Sequence, residues 1–153
     1  MSPHPPQQWL SILGLIALLM LSAPGAEARQ HVRFGDLEVH YVVLNTTDVS
    51  PEMAERYALT RAADRGLINI AGRRRGDDGT TSAVQLAIEG TVTNLLGQSR
   101  SLQFREVTDP AAIYYLETIA FTDREPLRFQ LQVTDLDTGR RHPVSFEKIL
   151  WRQ

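Results

Sequence analysis

The chain has 153 residues, with 16 basic and 18 acidic side chains, a formal net charge of −2 and no cysteine. That balance gives no bulk electrostatic hold on nucleic acid or on an acidic membrane. The missing thiol excludes disulfides, a cysteine nucleophile and lipid attachment through a leader cysteine.

The first element in chain order is a leader. Trp9 to Leu21 reads WLSILGLIALLML, an uncharged run too short to span a bilayer, which needs about 20 residues. Ser22-Ala23-Pro24-Gly25 breaks the run, and Ala26-Glu27-Ala28 supplies the small-x-small pattern of a signal-peptidase site. Residues 1–28 are therefore expected to be a signal peptide cleaved after Ala28, with an uncleaved anchor as the alternative. Residues 29–153 then form a single exported domain, long enough to bury about two thirds of its unfolded surface, and the expected location is the periplasm.

Beyond the leader, alternation with period two dominates. Leu37, Val39, Tyr41 and Val43 form one inward set, while Phe34 is out of phase across Gly35-Asp36, which predicts a tight turn there. Strands are expected at 67–74, at 83–95 with a bulge or bend at Gly90, and at 101–107 and 113–122. Leu127, Phe129, Leu131 and Val133 alternate with polar residues in the clearest strand. A last strand at 142–152 changes phase between Phe146 and Ile149, which suggests a bulge near Glu147-Lys148. Turn residues separate these runs, as at Gly76-Asp77-Asp78-Gly79 and Asp137-Thr138-Gly139. About seven strands with one short helix predict an all-β fold, an immunoglobulin-like antiparallel β-sandwich.

The helix opens at Ser50, a good N-cap, with Pro51 at the first helical position and Glu52 near its positive end. It is expected to end by Gly66, so that Arg61, Asp64 and Arg65 sit at its exit, where arginines complement exposed carbonyls and Gly66 suits a left-handed cap. Asn69 is a polar residue inside the following apolar strand, and its burial requires hydrogen-bond partners.

Little in the sequence points to catalysis. No serine lies in a G-x-S-x-G elbow, and His31, His40 and His142 lack metal-ligand spacing, so no metal or cofactor is expected. Arg73-Arg74-Arg75 beside Asp77-Asp78 suggests a hairpin tip with opposed charges, or alternatively a partner-binding patch. The run Asp135-Leu136-Asp137-Thr138-Gly139 lacks the downstream glutamate of a calcium loop and reads as an ordinary turn.

Three blocks, FGDLEVHYVVLNTT (34–47), SPEMAERYALTRAADRGLINIA (50–71) and VTDPAAIYYLETIAFTDREPLRFQLQV (107–133), resemble domain-of-unknown-function family DUF4426. The matching positions include Phe34, Gly35, Asp36, His40, Tyr41, Ser50, Pro51, Glu52, Tyr57, Arg61, Gly66 and Asn69. Ala62 and Ala63 depart from the serine and lysine common after the arginine. The resemblance implies export and an immunoglobulin-like sandwich, and it brings no reaction. The expected function is a non-enzymatic periplasmic binding or accessory module, with an envelope protein as its candidate partner. The candidate patch is His40, Tyr57, Arg61, Arg65 and Asn69. The alternatives are an enzyme acting on a peptide or cell-wall fragment and an assembly chaperone that uses an open sheet edge.

Overall fold

The computed structural model describes residues 30–153, so the predicted leader and its cleavage point lie outside the described residues. Ten strands run β1 Gln30–Phe34, β2 Leu37–Asn45, β3 Arg65–Arg75, β4 Thr81–Val84, β5 Leu86–Thr93, β6 Ser99–Ser101, β7 Arg105–Asp109, β8 Ala112–Ala120, β9 Pro126–Asp135 and β10 Arg141–Ile149. One sheet has the order β1-β2-β3-β8-β7, with β4 also on β3; the other has the order β10-β9-β5-β6. Every pairing among them is antiparallel. The protein is an all-β sandwich of the immunoglobulin-like class.

The core forms where the alternating apolar sets of the two sheets meet. Val39, Ile68, Ile70 and Ile119 of the first sheet and Leu86, Phe129, Val133 and Val144 of the second belong to one buried cluster. Tyr41 stacks on Phe146 with ring centroids 4.3 Å apart, and Phe146 stacks on Phe129 at 4.8 Å, so aromatic contact joins the layers. The predicted turn at Gly35-Asp36 closes the β1–β2 hairpin, with Gly35 at φ 65° and Phe34 opposite Leu37.

The strand count rises from seven to ten because β1 forms a strand of its own before the Gly35-Asp36 turn and two expected strands are each broken at a crossing between sheets. The run 83–95 splits at Gln85, so Val84 ends a strand of the first sheet while Leu86 starts one of the second, both facing the core. The Tyr115 hydroxyl anchors this corner by accepting the Leu86 N–H at 2.8 Å and donating to Glu106 at 3.1 Å. Burial pushes its pKa up to about 12. The run 101–107 splits likewise, β6 lying in the second sheet and β7 in the first, with Leu102 buried between them.

Neither expected bulge forms. β5 pairs with β9 in unbroken register through Gly90, and the glycine is required by space: a Cβ there would lie 2.6 Å from the Gln130 carbonyl oxygen. β10 also pairs without interruption; Val144 is buried, Phe146 packs on the core, and the next inward residue of that phase is Leu150, whereas Ile149 and Trp151 are exposed. The helix α1 spans only Pro51–Arg56, capped by Ser50, whose hydroxyl accepts the Met53 N–H at 3.3 Å. It stops well before Gly66, with Ala58 in the left-handed region at φ 51°. Arg61, Asp64 and Arg65 therefore do not sit at its C-terminus. Gly66 is a strand residue, where a Cβ would meet Leu150 at 2.7 Å.

The arginine run also pairs differently from the hairpin expectation. Arg75 bonds Glu38, and Arg74 reaches Asp36 at 3.0 Å, Asp135 at 2.7 Å and Asp137 at 3.4 Å. Asp78 instead accepts the Thr80 N–H and hydroxyl within its own turn. Asp135 to Gly139 is a turn, closed by the Gly139 N–H on the Asp135 carbonyl at 2.7 Å, with Gly139 at φ 71°.

Candidate functional site

The outer face of the first sheet should be polar in a two-layer protein, since it faces away from the core. In β2 and β3 it is not: Val42 stands opposite Asn69 and Leu44 opposite Leu67, and Leu116 lies across from Asn69 on β8. The chain covers this apolar strip with the connection 46–62, which contains a 3-10 turn Thr46–Asp48 and α1. Between the sheet and the connection lies a cleft of about 1150 Å³. Its floor includes His40, Val42, Leu44, Leu67, Asn69 and Leu116, and its roof Val49, Met53, Tyr57 and Leu59.

The roof is held at its base and on its far side. Thr46, with 0% exposure, donates its hydroxyl to the Ala62 carbonyl at 3.1 Å and accepts the Ala62 N–H at 3.0 Å, so the two ends of the connection are stapled together. Arg61 adds a bond to the Thr47 carbonyl at 2.8 Å. From β7, Arg105 donates to the Tyr57 carbonyl, while the Tyr57 hydroxyl donates to Asp109 at 3.3 Å.

The cleft is polarised along the strands. Under the roof it is aliphatic; toward the start of β2 and the end of β3 it is lined by Glu38, His40, Arg73 and Thr81. Glu38 is buried, and its carboxylate accepts Arg33 at 2.6 Å and Arg75 at 2.7 Å. These hydrogen bonds, Arg75 first, hold its pKa down at about 2 against the opposing effect of burial. His40 Nε2 lies 3.4 Å from the other carboxylate oxygen, and the His40 ring stacks on His31. Among the described residues, Arg73 donates only to neutral oxygens, the carbonyls of Ala111 and Thr81 and the Thr81 hydroxyl. Asn69, midway along the floor, makes no side-chain hydrogen bond among the described residues, and its Oδ1 is buried without a partner.

Three of the five residues singled out in the sequence, His40, Tyr57 and Asn69, line this cleft together. Arg61 and Arg65 do not. Arg61 is exposed on the stapled base of the roof, and Arg65 opens β3 paired with Asp64 at 3.1 Å. Arg73 figures in the sequence only within the Arg73-Arg74-Arg75 run, as a hairpin tip or partner-binding patch, and Met53, Leu59 and Tyr114 are not among the candidate patch residues. Their signal was the run Val42-Val43-Leu44, apolar on both phases, which demands a cover on the outer face. Among the described residues, no group of three or more His, Cys, Asp or Glu is placed to hold a metal ion.

A sandwich carrying a covered cleft on one outer sheet face defines the structural class of this protein. Residues 31–153 match the family model described as "Domain of unknown function (DUF4426)", and the chain belongs to that family. It is similar in structure to a DUF4426 family protein from Pseudomonas aeruginosa PAO1, with 32% identity, a TM-score of 0.68, and coverage of 81% of this chain and 95% of that one. It also shares its fold with FetP of uropathogenic Escherichia coli strain F11, as isolated after expression in the periplasm of E. coli, at 13% identity and TM-score 0.52, covering 81% of this chain and 94% of that one. A copper-bound variant of the same FetP matches at 14% identity and TM-score 0.53, covering 82% and 97%. No curated protein matches the chain.

Proposed function

We propose that the protein is an exported, periplasmic, non-enzymatic binding module whose ligand occupies the cleft between the first sheet and the connection 46–62. The observation that carries this reading is the unpartnered Asn69 carboxamide in the floor of a roofed apolar strip. A buried polar group without a partner costs about 1–3 kcal/mol, a penalty that a bound ligand removes. The partner from which the ligand derives is an envelope component; neither nucleic acid nor membrane insertion belongs to this reading. Among the described residues, no helix is long and apolar enough to cross a membrane.

The binding reading is preferred to an enzyme because the histidine in the cleft faces a carboxylate already engaged by two arginines, and the Thr81 hydroxyl at the same end accepts a hydrogen bond from Arg73. Strand capture by an open edge has less support. β6 is three residues long, β10 carries Pro143, and β7 carries Arg105, Glu106 and Asp109. The test is a photo-crosslinking side chain placed in the native periplasm at Met53 in the roof, and at Gln130 on β9 as a control. Adducts at Met53 and none at Gln130 are expected; equal labelling at both would defeat the proposal. Intact mass of the recovered protein checks the leader, with Arg29 as the expected first residue.

A further inference from the structure

We infer that the ligand of this cleft is a short extended peptide bound with its free C-terminal carboxylate at Arg73, a backbone amide on Asn69 and an apolar end beneath the roof. The inference rests on the binding role proposed above and goes beyond it in naming the ligand chemistry. Three features in one line along the floor carry it. The first is Arg73. Its guanidinium lines the polar end of the cleft, yet its protein partners are two carbonyls and a hydroxyl, none of them charged. The acidic side chain in the lining of that end, Glu38, is already engaged by Arg33 and Arg75. An arginine without a carboxylate partner is complementary to an incoming one, which its planar donors meet as a fork.

The second feature is Asn69, two outward positions along β3 from Arg73 and on the same face. A carboxamide presents one acceptor and two donors at once. A peptide group, with its own N–H and C=O, answers both sides, whereas an acyl chain answers neither. The third is the aliphatic end formed by Leu44, Leu67, Met53 and Leu59, which suits one or two apolar side chains. Along β2 the floor runs from Glu38 to Leu44, about 20 Å at about 3.4 Å per residue, the length of an extended peptide of about six residues.

The test uses the exported protein purified from the periplasm and two pools of random hexapeptides, one with free C-terminal carboxylates and one amidated, with retained peptides read by mass spectrometry. Individual winners are then titrated by fluorescence anisotropy. Free-carboxylate peptides with apolar N-terminal halves are expected to be retained, and amidation is expected to weaken binding about tenfold or more. Arg73→Gln should abolish the difference between the two forms. Asn69→Leu should weaken both forms while raising the thermal midpoint of the empty protein, because it removes an unsatisfied polar group; a merely structural asparagine would not show this opposition. Equal retention of the two pools by the native protein overturns the inference. Displacement of a cleft-bound apolar dye by dodecanoate, with no peptide retained, overturns it too but leaves the binding role standing. No ligand in either assay, together with no crosslink at Met53, removes both.

Discussion

Arg74 shows how one side chain determines the behaviour of a whole end of the sandwich. It rises from β3, is 23% exposed, and meets Asp36 in the first hairpin turn and Asp135, 3% exposed, at the end of β9. Burial works to raise the Asp135 pKa, but the hydrogen bonds from Arg74, Thr138 and the Asp137 N–H bring it below its ordinary value. Arg74→Ala would leave that buried carboxylate without its charge partner, held only by Thr138 and the Asp137 N–H. A loss of about 3 kcal/mol or more is expected in urea unfolding, and a loss below about 1 kcal/mol would show that water replaces the arginine. Glu38 offers a pH test. Its pKa falls from 4.5 to about 2 on folding, so the stability it contributes is present above 4.5 and disappears as pH drops through about 2. Urea midpoints of the native protein should therefore decline across that window, and Glu38→Gln should flatten the decline. None of these partnerships was readable from spacing: Arg74 and Arg75 lie next to Asp77 and Asp78 in the chain yet pair with Asp135 and Glu38. A strand separates sequence neighbours onto opposite faces and brings distant residues together.

At the scale of elements, the inward phases were the most legible. Leu37, Val39 and Val43 on β2, and Leu127 to Val133 on β9, are buried as alternation predicts. Boundaries were not. Alternation continues unbroken from Val84 to Leu86 because both residues face the same core, so nothing in the pattern marks the change of sheet at Gln85. The helix start carried its own capping chemistry at Ser50, whereas its end is set by Ala58 entering a left-handed turn, a conformation that alanine does not announce. Gly90 gives the prediction proper to this scale. An added methyl would press on the Gln130 carbonyl and on Leu131 of the paired strand, where backbone has no room to yield. Gly90→Ala should destabilise by about 1–3 kcal/mol, measured as a lowered denaturation midpoint with an unchanged slope.

For the molecule as a whole, the sandwich class followed from repeated short alternating runs, while half of the candidate site was visible and half was not. Asn69 stood out as a polar residue in an otherwise apolar strand and His40 as an outward residue of the strand crossed by the helical segment, and both line the cleft. Arg73 was visible only as one of three consecutive arginines, read together as a hairpin tip or a partner-binding patch, and only the register of β3 distinguishes their fates. The chain moves from one layer to the other and back: β1 to β4 build the first, β5 and β6 the second, β7 and β8 return, and β9 and β10 cross again. Neither sheet consists of consecutive strands, so no early segment of the chain can complete a sheet by itself; the polypeptide stays vulnerable to proteases until its final hairpin is in place. Stopped-flow refolding should accordingly show one cooperative phase, on the order of milliseconds to seconds, and a fragment ending before Pro126 should remain unfolded in circular dichroism.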